Sequence, residues 1–447
     1  MSQTYDIQLA GARELPDQDP ELATLLDQEL DYETGVLAMV AHASVAPPSV
    51  LAAAGTVLSN VTAEGYPGRR YHPGAEWFDA IERLAVSRAQ AAFGARYANV
   101  QPHSCTAANL AVEFGLLAPG ATLLGLHLDA GGHLTHGAPA SVTGRAFHSV
   151  SYGLDDAGLI DYDRAAELAR AHRPGLIVAG ASAHPRRIDY QRFRDIADEV
   201  GAYLLADISH IAGLVAAGVL PSPVDIAHVT TTSTYKQLGG PRGGLILMGA
   251  EHATLGPDGR TPLSTLIDRA VFPLTQGTPN AAAIAAKARA LDVVATPGFK
   301  ATAHRIAADA TALADALIAR DWPVLTGGTD NHMVLLDVSR RGLTGAIAEL
   351  ALSDCGILAN RNRIPGDTRP PLVAGGLRLG TNILAQRGME PADMTTCAEL
   401  VVRVLDAVEP VSDTEYRLDP DVRKGVLDEV ADLCRCFPIP GYPQTTP

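Results

Sequence analysis

The chain has no surplus of positive charge. Across 447 residues, 35 Lys plus Arg stand against 50 Asp plus Glu, a net charge of −15. No basic cluster interrupts that acidity, which argues against nucleic acid and anionic membrane surfaces as partners. Apolar runs long enough to span a bilayer are missing. The stretch MSQTYDIQLAGARELPDQDP has neither the basic nor the apolar segment of a signal peptide. Cysteine is scarce and odd in number, five in all, so no disulfide framework is expected. Cys434 and Cys436 stand too close together for a usual zinc pattern, and no metal site is expected. Internal repeats and low-complexity tracts are also lacking. What remains is a globular composition, 47 % hydrophobic and 19 % charged, with length for a large core. At roughly 150 residues per domain, two to three domains follow. The expectation is a soluble cytoplasmic enzyme.

The pattern divides the chain. Residues 1–33 are polar and acidic, with one short amphipathic stretch from Pro20 to Leu30, and read as an arm. Between about 34 and 298, continuous apolar runs alternate with helical patterns. The runs are Ala121–Leu128, Gly175–Ala179, Ala202–Ala206 and Gly244–Met248; the helices include Glu76–Ala95, Tyr190–Val200 and Ala281–Val294. Apolar runs bounded by Gly, Pro or Asp suit strands buried on both faces, and the alternation predicts a mostly parallel α/β sheet. A break at Thr296-Pro297-Gly298 separates a smaller α+β domain, 299–447. It contains a strand at His332–Val338, a turn-rich stretch from Asn360 to Pro371, and a strand-like Gly376–Gly380.

Five local patterns offer chemistry, each with a plainer alternative. Lys236 follows Thr232-Ser233-Thr234-Tyr235 and precedes the turn Gly239–Gly244; buried, it becomes a nucleophilic amine able to form a Schiff base, and otherwise it is a loop lysine. Asp207 ends an apolar run, where α/β proteins bind ligands; it suits a pyridinium nitrogen, or a helix N-cap near Ser209. Ser104, Cys105 and Thr106 open a helical pattern, Ala107–Leu117, whose N-terminus suits a phosphate; a simple hydroxyl cap is the alternative. His133 after Gly131-Gly132 can approach an aromatic cofactor, or be structural. Arg378, between glycines, suits bidentate capture of a carboxylate, or is a surface arginine. Individually weak, they stand in the chain order that a pyridoxal-phosphate enzyme requires.

In these and neighbouring blocks the chain resembles the serine hydroxymethyltransferase family of fold-type I pyridoxal-phosphate enzymes. The matching stretches are Ala63–Gly68, Asn99–Ser104, Gly131–Gly137, Gly180–Ala183, His210–Ala216 and Gly240–Gly244, spread over roughly 30–390. The resemblance implies pyridoxal phosphate as cofactor and tetrahydrofolate as co-substrate. It makes Lys236 the Schiff-base lysine, Asp207 the pyridinium partner and His133 the stacked ring. Ser104 and Thr106 fall at the phosphate with Cys105 between them, Gly277 is contributed by a neighbouring subunit, and Thr278 is a further cofactor position. Arg378 matches the carboxylate arginine. Glu64 matches the residue handling the hydroxyl proton and the one-carbon unit. Ser182, His210 and Tyr71 match pocket positions, and Leu128, Leu134 and Asn362 match folate positions. A homodimer or dimer of dimers sharing its active site is implied.

Departures cluster around the substrate. His42-Ala43-Ser44 stands where the family usually has Ser-Glu-Asn, Thr62 where a tyrosine is usual, and His72 where a second tyrosine is. Tyr235 replaces a histidine, Cys105-Thr106 replaces Gly-Ser, and Leu274 and Thr278 replace glycines. The core set Lys236, Asp207, Glu64 and Arg378 survives, which favours an altered substrate over decay. α-Methylserine with D-alanine is the first candidate and serine with glycine the second. The alternatives are a folate-independent threonine aldolase or transaldolase, an aminotransferase, and a non-catalytic paralogue.

Overall fold

A computed structural model describes residues 3–444; the outermost residues of the 1–33 arm and of the 299–447 unit lie outside that range. A seven-stranded sheet organises the larger part of the chain. Numbered in chain order within this sheet, its strands are β1 (Tyr97–Asn99), β2 (Thr122–Leu126), β3 (His148–Tyr152), β4 (Leu176–Gly180), β5 (Tyr203–Asp207), β6 (Val229–Ser233) and β7 (Gly244–Met248). Their spatial order is β1-β7-β6-β5-β4-β2-β3. The pairings from β2 to β6 are parallel, and β7 runs antiparallel to both β6 and β1.

The apolar runs are two-faced, as the parallel sheet requires. Leu204 and Ala206 of β5 and Leu245 and Leu247 of β7 enter one core, while Leu205, Ile246 and Met248 point into another on the opposite face. Against expectation, β6 is polar. Its Thr230, Thr231, Thr232 and Ser233 are nonetheless buried.

Several boundaries differ from the sequence reading. Leu128 lies beyond β2 in a 3-10 turn, Leu128–Ala130, and Asp207 is the last residue of its strand. The helix Cys105–Leu116 starts earlier because the Ser104 hydroxyl accepts from Ala107 N at 3.0 Å, capping it there. The Thr296-Pro297-Gly298 break is a helix start: Thr296 caps and Pro297 opens Pro297–Ile318. That helix serves two cores. Ala303 and Ile306 pack with the large-sheet cluster, and Leu313, Ala314 and Leu317 with a second cluster further along the chain.

The second core stands behind a three-stranded antiparallel sheet, Met333–Asp337, Gly376–Gly380 and Asn360–Asn362, with Gly376–Gly380 central. Asn360–Asn362, expected within a turn-rich stretch, is therefore a strand. Leu37–Ala38 pairs in parallel with Ile357–Leu358, and Leu37 and Met39 are buried in this second core. The arm also differs: it forms two helices, Gln3–Gln18 and Pro20–Gly35, and the first buries no residue. Arg387 ties this region together, donating to the carbonyls of Thr34 and Phe437 at 2.7 and 2.9 Å. Among the described residues no helix is long and apolar enough to cross a membrane.

A hairpin, Gly65–Tyr66 with Arg69–Arg70, presents Glu64. Gly65 has φ +91°, and a Cβ there would lie 2.6 Å from the Arg69 carbonyl, so glycine is required. Arg70 runs beneath the hairpin, donating to the Ala63 and Gly65 carbonyls at 3.1 and 2.6 Å and pairing with Asp79 and Glu82. Arg70→Met should cost about 3–5 kcal/mol, because it leaves Glu82 buried and uncompensated. Arg70→Met with Glu82→Leu should recover most of that loss in thermal or urea unfolding.

Candidate active site

The site forms at the carboxyl edge of the parallel strands, where open α/β sheets bind ligands. β5 ends in Asp207, Lys236 follows β6 by three residues, and Ser182 follows β4 by two. Ser104, Cys105, Thr106, His133, Ser182, Asp207, His210, Tyr235 and Lys236 line one cleft together with His136.

Asp207 is the electrostatic centre. Asn109 Nδ2 and His136 Nε2 donate to Oδ2 at 2.9 and 3.2 Å; Ser209 N and Oγ donate to Oδ1 at 3.0 and 2.6 Å. His136 Nδ1 accepts from the His133 amide at 3.3 Å, which leaves the proton on Nε2. Burial alone would raise the Asp207 carboxyl, but hydrogen bonds, His136 first among them, hold it well below the usual range. The helix-cap alternative is not what the side chain does: the next helix, Ala212–Ala216, is preceded by Ile211 and carries no side-chain cap. Asn109 is itself held by Thr231 Oγ1, which donates to its Oδ1 at 2.6 Å. That bond accounts for Thr231 in the polar β6.

Lys236 is buried, and burial lowers its ammonium to about 8, with Asp207 opposing the shift. Burial thus shifts the group toward the amine that attacks an aldehyde. His133 accepts from Thr135 N at 3.2 Å and meets Thr135 Oγ1 at 2.8 Å through Nδ1; burial lowers it to about 4. His210 is also pushed down, by burial first and then by Lys236 and Arg378. One donor atom from each of His133, His136 and Asp207 lies within 4.8 Å of the others. These atoms are spent on the hydrogen bonds just described.

Arg378 alternates with Leu377 and Leu379, which enter the second core, and so faces the opposite side of its strand. It is buried and donates from Nε to Asn360 Oδ1 at 3.1 Å and from Nη1 to the Ser182 carbonyl. Burial brings it to about 10, still charged at neutral pH. Among the described residues no carboxylate pairs with it, so a buried cation is left free for an incoming anion. Nη2 meets His42 Nδ1 at 3.1 Å. His42 is lowered to about 4 by partial burial and by Arg378, Lys236 and Arg242. Backbone contacts fix its place: Asn382 Nδ2 donates to the carbonyls of Ala41 and Ala43 at 2.9 and 3.2 Å. His42, Asn109, His136 and Asn360 were not singled out for roles from sequence; only the Ser-Glu-Asn departure marked His42.

Thr62, Glu64, Tyr71, His72, Gly277 and Thr278 do not line the Lys236 cleft of their own chain. They gather elsewhere. Thr278 Oγ1 accepts from Ala63 N at 3.0 Å, Tyr71 packs edge-on to Phe272 at 5.5 Å, and His72 Nε2 is 3.8 Å from Glu64 Oε2. Leu128 and Leu134 are exposed, and the Arg363–Asp129 ion pair at 2.6 Å joins their loop to the strand of Asn362.

The donor set fits pyridoxal phosphate. A capped helix N-terminus suits its phosphate, an ionised buried carboxylate suits a protonated ring nitrogen, and a buried amine suits its aldehyde. This fold and donor set define a fold-type I pyridoxal-phosphate enzyme. A family model described as serine hydroxymethyltransferase matches residues 15–401. The serine hydroxymethyltransferase of Alkalilimnicola ehrlichii (strain ATCC BAA-1101 / DSM 17681 / MLHE-1) is 46 % identical over 422 residues, 94 % of this chain and 96 % of that protein. The chain belongs to the serine hydroxymethyltransferase family, whose members use pyridoxal phosphate with tetrahydrofolate as co-substrate. It is a pyridoxal-phosphate-dependent hydroxymethyltransferase.

Because burial disfavours its charged form, His133 should stay neutral down to about pH 4. Histidine 15N NMR checks this: ring shifts moving near pH 6.5 would contradict the geometry.

Proposed function

We propose that the chain breaks and forms the Cα–Cβ bond of a β-hydroxy-α-amino acid, passing the one-carbon unit to tetrahydrofolate, with α-methylserine and D-alanine as the favoured pair. The observation that carries the catalytic part is that Lys236 and ionised Asp207 share one cleft with Ser182, whose carbonyl accepts from the unpaired Arg378 of the smaller sheet. Lys236 would hold the cofactor aldehyde. Asp207 would keep a proton on the ring nitrogen, and His133 would share the ring's pocket. Ser104, Cys105 and Thr106 hold the phosphate through the helix N-terminus. Arg378 receives the α-carboxylate, with Ser182 and His210 completing the pocket wall. The bound cofactor supplies a sink for the electron pair left at Cα.

Glu64 holds or moves the proton at the β-hydroxyl. It lies outside the Lys236 cleft of its own chain, which supports a homodimer in which a second copy supplies Glu64, Thr62, Tyr71, His72, Gly277 and Thr278. Tyr71 and Trp77, near this hairpin, are 73 % and 83 % exposed in the single chain, as surfaces awaiting a partner would be. Leu128, Leu134 and Asn362 offer the folate site. The acidic chain without a membrane-spanning helix is consistent with a cytoplasmic enzyme.

Substrate preference rests on Thr62. A threonine where tyrosine is usual leaves room for an α-methyl group, worth about tenfold in affinity or less. Of the two other substituted residues, Tyr235 stacks with Arg242 at 4.2 Å, and His72 lies 3.8 Å from Glu64. Serine with glycine is the second reading, supported by the similarity to a protein named serine hydroxymethyltransferase.

Borohydride reduction and peptide mapping should place the pyridoxyl label on Lys236; a label elsewhere removes the mechanism. α-Methylserine should exceed serine in kcat/KM and yield D-alanine, and Thr62→Tyr should reverse that order without altering the visible spectrum. A wild-type preference for serine that Thr62→Tyr leaves unchanged would assign the ordinary serine reaction. Formaldehyde release should be slow without tetrahydrofolate; equal rates would favour the aldolase alternative.

A further inference from the structure

Lys287 lies on the helix Ala281–Val294 and is 2 % exposed. Its Nζ donates to the carbonyls of Val100, Pro102 and Gly244 at 2.6, 2.9 and 3.0 Å. Three acceptors require three N–H donors, so the geometry is that of the ammonium and not the neutral amine. Burial draws the group down to about 7, and the three carbonyls work to retain the proton. No carboxylate pairs with it among the described residues. The acid that acts on it, Glu82, is bound to Arg70. A buried cation without a counter-ion is costly and calls for an anion nearby.

The position of those carbonyls identifies the anion. β1 and β7 pair at Asn99 and Ile246, then separate, and Lys287 fills the fork. The 100–104 segment runs from this fork to Ser104, the cap of the helix Cys105–Leu116. Gly244 carries Ser104 directly: a Cβ at Gly244 would lie 2.4 Å from the Ser104 carbonyl oxygen. Gly244 N in turn donates to Pro102 O at 2.9 Å. Lys287 therefore sits behind the anion-binding helix end, across the peptides of Pro102 and Gly244. A Cβ on Gly243 would meet Lys287 Cε at 2.2 Å, so glycine is what lets the lysine stem pass.

We propose that Lys287 is a positioning residue for the cofactor phosphate, a buried ammonium that shapes the Gln101–Ser104 cradle and supplies positive potential behind it. The proposal rests on the reading of Ser104–Thr106 as the phosphate site. The test compares pyridoxal phosphate with pyridoxal, which lacks the phosphate. With cofactor-free protein, Lys287→Met should weaken pyridoxal phosphate by about tenfold, the scale of one unit charge acting through a protein interior. Pyridoxal binding should stay unchanged. The 31P resonance of the bound cofactor should be independent of pH in the wild type and titrate in the variant. If Lys287→Met is insoluble, Gly243→Ala displaces the ammonium and should show the same selective loss. Equal losses for both ligands, or none, overturn the role of Lys287. A wild-type protein that takes up neither ligand overturns the cofactor-site reading instead.

Discussion

The structure depends on one carboxylate kept ionised inside the protein. Asp207 ends β5, and its negative charge persists because Asn109, His136 and Ser209 all direct donors at it. Each donor has its own support. Thr231 holds Asn109, the His133 amide sets the tautomer of His136, and Ser209 Oγ also meets Ser233 N at 3.2 Å. The sheet, the helix Cys105–Leu116 and the 3-10 turn Leu134–His136 are thereby locked around a single atom pair. The chemistry at Lys236 follows, since Asp207 opposes the loss of its proton while burial promotes it.

Much of this was legible in advance. Apolar runs located β2, β4, β5 and β7, because strands buried on both faces must be apolar along their length. β6 was not visible by that rule, since it is polar: Thr231 bonds Asn109 and Ser233 bonds Ser209. Asn360–Asn362 escaped for a related reason: its side chains serve Arg378 and the loops instead of a core. The arm's first helix, Gln3–Gln18, escaped because a helix that buries nothing leaves no apolar periodicity.

For the site, glycine patterns and strand ends pointed to Lys236, Asp207, His133, Ser104 and Arg378, which share one region. His42 and His136 had no local signal of a role, because each acquires its partner only when distant segments close. The hairpin bearing Glu64 was found by its family block, yet its separation from Lys236 within one chain is a fact of tertiary structure. No spacing in the sequence encodes it.

The pairing of Leu37–Ala38 with Ile357–Leu358 carries a consequence for the order of assembly. More than three hundred residues separate the partners, so during synthesis the early strand emerges long before anything can cover it. The large sheet, made between β1 and β7, can close first. Leu37, Met39 and His42 must wait, and the arginine that His42 touches emerges more than three hundred residues after it. A nascent chain would thus carry all seven strands of the large sheet before the arginine of the carboxylate pocket has emerged.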